Sequence, residues 1–91
     1  MSSVPGYRDG LTQPGWLVQE IAKAMVDYPD EVQVREVTGS SLTIIELTVH
    51  PGDVGKMIGT RGVHADAIRR LVKAAAGKLR HNYRMEIIED R

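Results

Sequence analysis

The sequence predicts an α+β domain whose elements run helix, strand, strand, helix, helix, strand. Three observations carry that prediction. An amphipathic stretch begins at Trp16 and stops before Pro29, an alternating β-branched run spans Leu42 to Val49, and two glycines three residues apart, Gly59 and Gly62, lie between two helical segments. A chain of 91 residues makes one domain with a modest core.

The elements follow in order. Residues 1–15 are rich in Ser, Pro and Gly and read as a flexible lead-in, with the folded domain over 16–91. From Trp16, the residues Leu17, Val18, Ile21, Ala22, Met25 and Val26 recur on one helix face, and Pro29 ends the helix by disfavouring helical backbone in the residue before it. Val32 and Val34 alternate with Gln33 and Arg35 as a half-buried strand, and Thr38-Gly39-Ser40-Ser41 is a turn. In the second strand Ile45, Leu47 and Val49 share one face. Leu42 and Ile44 fall on the other, covered by a partner or brought inward by a bulge. Pro51-Gly52-Asp53 breaks the strand and opens a short helix over Val54 to Ile58, with Asp53 as its N-cap. The longest helix runs from Val63 to about Leu79 and is expected to bury Ala67, Ile68, Leu71, Val72, Ala75, Ala76 and Leu79, with Gly77 as a cap or a point of fraying. Tyr83, Met85 and Ile87 alternate with Arg84 and Glu86 as the last strand.

The charges cancel in total but separate along the chain. From Gly55 to Arg84 there are eight basic residues against Asp66 alone, whereas the preceding residues carry three basic against eight acidic. That asymmetry is expected where one side of a domain faces a polyanion. The absence of cysteine excludes disulfides and thiolate metal sites and fits a reducing cytosol. No apolar run reaches membrane-spanning length and the N-terminus lacks a secretory pattern, so the expected location is cytoplasmic. The three histidines are dispersed, no carboxylate is paired with a nucleophile, and neither a metal site, a cofactor nor a catalytic constellation is expected.

The stretch Gly55-Lys56-Met57-Ile58-Gly59-Thr60-Arg61-Gly62 carries the chemistry. Its two glycines permit a sharp turn with no side chain over the backbone. The first amides of the following helix, lacking intrahelical partners, and the positive end of its dipole then suit phosphate oxygens. Lys56 and Arg61 add mobile positive charge. Ile58, with Val54 or Val63, would floor an apolar groove for unstacked bases, and Arg69 and Lys73 extend the basic surface along the long helix. A Walker loop is excluded because Met57 follows Lys56 and no glycine lies five residues before Gly55; the dinucleotide G-x-G spacing is also absent. Helix, GxxG and helix after two strands is the layout of a KH module, whose loop clamps about four nucleotides. An RRM would need sheet aromatics, and this chain has one Trp, three Tyr and no Phe. Trp16, Tyr28 and Tyr83 read as packing or boundary residues.

At this point the chain resembles a family. The blocks Leu17 to Asp27, Pro29 to Val32, Gly55 to Gly59 and Ala67 to Ala76 look like those of the small bacterial single-KH proteins of the KhpA type, in order and spacing, from Trp16 to about Glu89. The resemblance implies a type II KH fold, a three-stranded mixed sheet backed by three helices. It implies binding of single-stranded RNA without strong sequence choice, with single-stranded DNA as the alternative, and a role as a post-transcriptional regulator or RNA chaperone. It also implies self-association and pairing with a larger KH-containing protein. In the alternative reading the fold serves dimerisation or protein interaction, with little RNA binding of its own. By position, Gly59, Thr60, Arg61 and Gly62 take the backbone-clamp role beside Lys56 and Ile58. Val63 stands where family members often carry a basic residue.

Overall fold

The computed structural model describes residues 4–89; residues 1–3 of the lead-in and 90–91 of the domain lie outside them. Among the described residues, α1 (Gln13–Met25) leads into a hairpin of β1 (Gln33–Thr38) and β2 (Leu42–Thr48). Two helices follow, α2 (Val54–Ile58) and α3 (Val63–Ala76), before β3 (Asn82–Ile87) closes the chain. This is the predicted order. The sheet order is β1-β2-β3, with β2 antiparallel to β1 and parallel to β3. All three helices pack on one face. Val18 and Ala22 of α1, Ile45 and Leu47 of β2, Met57 of α2, Ile68 and Val72 of α3 and Met85 of β3 form the core between them.

The β1–β2 register runs without interruption from Gln33↔Thr48 to Thr38↔Thr43, so no bulge returns Leu42 or Ile44 to the core. Both remain on the open face of the sheet, where Val37 is the cross-strand partner of Ile44.

The first helix begins earlier than its apolar period indicates. Pro14 pre-sets the first turn, and the Trp16 amide bonds to the Thr12 carbonyl at 2.9 Å. Thr12 makes no side-chain cap. Its hydroxyl donates to Glu36 Oε2 at 2.7 Å and accepts from the Tyr83 hydroxyl at 3.0 Å, joining α1 to β1 and β3. A Cβ on Gly15 would overlap the Glu36 carboxylate, so a side chain there would displace the carboxylate that anchors Thr12. The lead-in, assigned no structure from its composition, turns back on itself through Tyr7 N to Leu11 O at 2.7 Å and Leu11 N to Arg8 O at 2.8 Å. Asp9 and Gly10 supply the positive φ this turn requires, and Leu11 is buried.

The end of α1 and the start of α2 share one buried carboxylate. Asp53, expected to cap α2, makes no cap bond there. It is 1% exposed and accepts from the amides of Asp27 and Tyr28, both at 3.1 Å. Those bonds hold the chain in the turn beyond Val26, which is why α1 stops before the proline itself forces it to.

Helix α3 buries a narrower stripe than its sequence indicates. Ala65, Ile68, Val72 and Ala76 face inward, but Leu71 is 51% exposed and Ala67 is also outside. The apolar arc of α3 is wider than the sheet and α1 can cover, so its outer part meets solvent. The helix gives way to a 3₁₀ turn over Gly77–Leu79, and Arg80, not Gly77, takes the left-handed cap conformation.

Candidate nucleic-acid interface

The α2–α3 connection holds two glycines in different backbone regions for different reasons. Gly59, at φ 75° and ψ 170°, occupies a region essentially reserved for glycine, and a Cβ there would lie 2.7 Å from His64 Cγ and 2.9 Å from the His64 amide nitrogen. Gly62, at φ 78° and ψ 14°, is left-handed with open space around it, so its requirement is conformational alone. Arg61 between them is also left-handed, at φ 54° and ψ 27°.

The amide donors are distributed differently from the expectation that the first turn of α3 is open. Gly59 N bonds to Gly55 O at 2.8 Å, Gly62 N bonds to Gly59 O at 3.0 Å, and Val63 N bonds to Thr60 O, because a 3₁₀ turn fills the junction. Among the described residues the Thr60 and Arg61 amides have no such partner. They sit on the exposed tip of the connection, next to the positive end of a fourteen-residue helix. Bare donors are therefore present at the middle of the GxxG, while the first amide of α3, that of Val63, is engaged.

Beneath the tip, the His64 Nδ1–H donates to the Lys56 carbonyl at 2.8 Å and ties α3 to α2. That partner lies eight residues away across the loop, and the spacing of the histidines in the sequence gives no sign of it. Lys56 is not the mobile charge expected. Its Nζ lies 3.0 Å from Asp27 Oδ2, and that hydrogen bond and charge raise its pKa, with the carboxylate of Asp53 adding to the effect. Ile58 is half-buried, Val54 packs on the core, and Val63 is 56% exposed.

A scan against family models matches residues 16–87 to the KH domain of KhpA and KhpB. The chain belongs to that family. Its relatives include the RNA-binding protein KhpA of Caldanaerobacter subterraneus, 55% identical over 74 residues that cover 81% of this chain and 99% of that protein. The protein of the same name from Clostridium acetobutylicum is 54% identical, covering 79% of this chain and 96% of its own. That of Treponema pallidum is 44% identical over 87% and 99%. These relatives are named as binding proteins, not enzymes. No solved structure matches the chain. The mixed sheet backed by three helices is the type II KH arrangement that the resemblance implied.

Within this KH domain the basic segment does not form one face. Lys56, Ile58, Gly59, Thr60, Arg61 and Gly62 come together around the connection. Arg69 lies further along α3, its Nε donating to the Met85 carbonyl at 3.3 Å and its Nη1 3.5 Å from Asp66. Lys73 is beyond it, ten residues or about 15 Å along the helix from Val63. Arg84 alternates with the buried Met85 and so lies on the opposite, open face of the sheet. Tyr83 packs on the core, as expected of it, and burial raises its hydroxyl pKa. Tyr28 lies at the boundary, half exposed and stacked on His50 with ring centres 4.1 Å apart.

Proposed function

We propose that this protein binds single-stranded RNA, gripping the backbone at the Gly59–Gly62 connection. The observation that carries the reading is the pair of unengaged amides of Thr60 and Arg61 at the positive end of α3. Phosphate oxygens accept from these donors, the Arg61 guanidinium adds charge, and Ile58 and Val63 offer apolar surface to unstacked bases. A clamp on backbone carries little sequence information, so the protein acts broadly in the cytoplasm, as an RNA chaperone or post-transcriptional regulator. The names of its relatives agree with RNA as the ligand. No helix among the described residues is long and apolar enough to cross a membrane. Replacing both Thr60 and Arg61 by Asp tests the grip. Binding of a labelled RNA is expected to be lost with the thermal midpoint unchanged, since both side chains are exposed and Asp tolerates left-handed backbone. Undiminished binding would remove the connection from the mechanism, and a matched single-stranded DNA in the same assay separates the two nucleic acids.

A second reading rests on a separate observation. Val63, Ala67, Leu71 and Ala74 lie along one exposed stripe of α3. Another KH surface, from a second copy or from a larger KH-containing protein, covers that stripe, and pairing adds avidity to a weak clamp. Leu71→Glu is expected to convert a dimer in light scattering to a monomer. A wild-type chain that scatters as a monomer at all concentrations excludes the homodimer.

A further inference from the structure

β3 is an edge strand, and α3 packs against it closely enough for Arg69 to reach a β3 main-chain carbonyl. A seam runs between them. Arg69 lies in it, bonded to the Met85 carbonyl, and Lys73 follows one helical turn later. At the far end the seam opens into a hollow of about 560 Å³ lined by Lys73, Gly77, Arg80, His81, Asn82 and Tyr83. No carboxylate lines it, and neither Lys73 nor Arg80 has an acidic partner among the described residues. The His81 wall is fixed: its Nε2 lies 2.8 Å from the Thr43 hydroxyl, and its ring meets Tyr83 edge-on with centres 5.4 Å apart.

The backbone adds an independent observation. Arg61 and Arg80, at φ 54° and 53°, both occupy the left-handed region, where glycine or asparagine would be less strained. One stands at the GxxG end of the seam and the other at the hollow. Each guanidinium thus stands at a position whose main-chain conformation favours Gly or Asn.

We propose that the hollow is a second phosphate subsite, in which Lys73 and Arg80 hold a phosphodiester of the strand gripped at the GxxG connection. The proposal rests on the reading of that connection as the first grip. Lys73 is then an anchor separate from the loop, with Arg69 along the path between the two.

The test is a salt titration of binding to a labelled oligouridylate of about twelve nucleotides, three times what a KH loop clamps. Lys73→Gln with Arg80→Asn, the latter suited to left-handed backbone, is expected to lower the slope of log affinity against log salt by about 1.4, two contacts at about 0.7 each. Lys78→Gln with Arg84→Gln removes the same charge elsewhere and is expected to leave the slope unchanged. Arg80→Gly alone is expected to weaken binding while holding or raising the thermal midpoint, which a purely structural role for Arg80 would not produce. An unchanged slope for the Lys73 and Arg80 pair, or an equal fall in both pairs, overturns the subsite. If the Thr60 and Arg61 double variant still binds while the Lys73 and Arg80 pair does not, the hollow is supported and the loop reading fails instead.

Discussion

The imidazole of His64 and the carbonyl of Lys56 meet at 2.8 Å beneath the GxxG tip, and the ring fills the space that any side chain on Gly59 would need. The two glycines are therefore not equivalent. Gly62→Ala meets only the left-handed penalty and is expected to cost about 1 kcal/mol in urea unfolding. Gly59→Ala adds collisions with His64 and is expected to cost about 3 kcal/mol. Combining Gly59→Ala with His64→Ala should recover part of that loss, because the ring is gone while the main-chain contact persists. Equal costs for the two single variants would contradict the packing described.

Asp53 is the main polar tie in the core. Replacing it with Ala strands the Asp27 and Tyr28 amides and is expected to cost about 3 kcal/mol, a fall of roughly 15 °C in thermal midpoint for a domain of this size. Asp53→Asn keeps one acceptor oxygen and is expected to cost less. A fall of only a few degrees for Asp53→Ala would mean that the turn after α1 is held by other contacts.

Among the described residues, Lys56 and Tyr83 have displaced pKa values, and both act in the same pH direction. Lys56 is raised by its hydrogen bond to Asp27, and Tyr83 is raised by burial. A folded-state pKa above the unfolded one gives stability that is complete below the unfolded value and lost as pH rises through the folded one. From these two groups stability is thus flat across neutral pH and falls above about pH 10. Tyr83→Phe is expected to cost about 1 kcal/mol at neutral pH, for the lost bond to Thr12, and to soften the alkaline fall. An alkaline fall of the same steepness in the variant would remove Tyr83 from the effect.

If RNA is gripped at the connection as proposed, the pairing of Lys56 with Asp27 competes with a phosphate contact from that lysine. Asp27→Asn releases it, so RNA affinity at low salt is expected to rise and the salt slope to steepen by about 0.7, one further phosphate contact. No change in slope would place Lys56 outside the interface.

What could be read from the sequence was local in origin. The alternation of Ile45, Leu47 and Val49, the helical period of α1 and the glycine pair each report on neighbours in the chain, and each led to the observed element. Features set by distant partners were not legible. Asp53 looked like an N-cap because its acceptors' donors, Asp27 and Tyr28, lie about twenty-five residues earlier. The lead-in looked unstructured because Thr12 is anchored by Glu36 and Tyr83 from other elements. Leu71 looked buried because period alone marks an apolar arc, whereas its exposure depends on how much of that arc the sheet and α1 can cover. At the site, spacing located the glycines but not the 3₁₀ turn, which engages the Val63 amide and leaves those of Thr60 and Arg61 without a backbone partner.

Amide-resolved NMR during titration with single-stranded RNA tests the central claim most directly. The account predicts that Thr60 and Arg61 show the largest main-chain shifts, with smaller changes at Gly59, Gly62 and Val63, whose amides already have partners. Shifts concentrated on the open sheet face, around Ile44 and Arg84, with Thr60 and Arg61 unmoved, would contradict it.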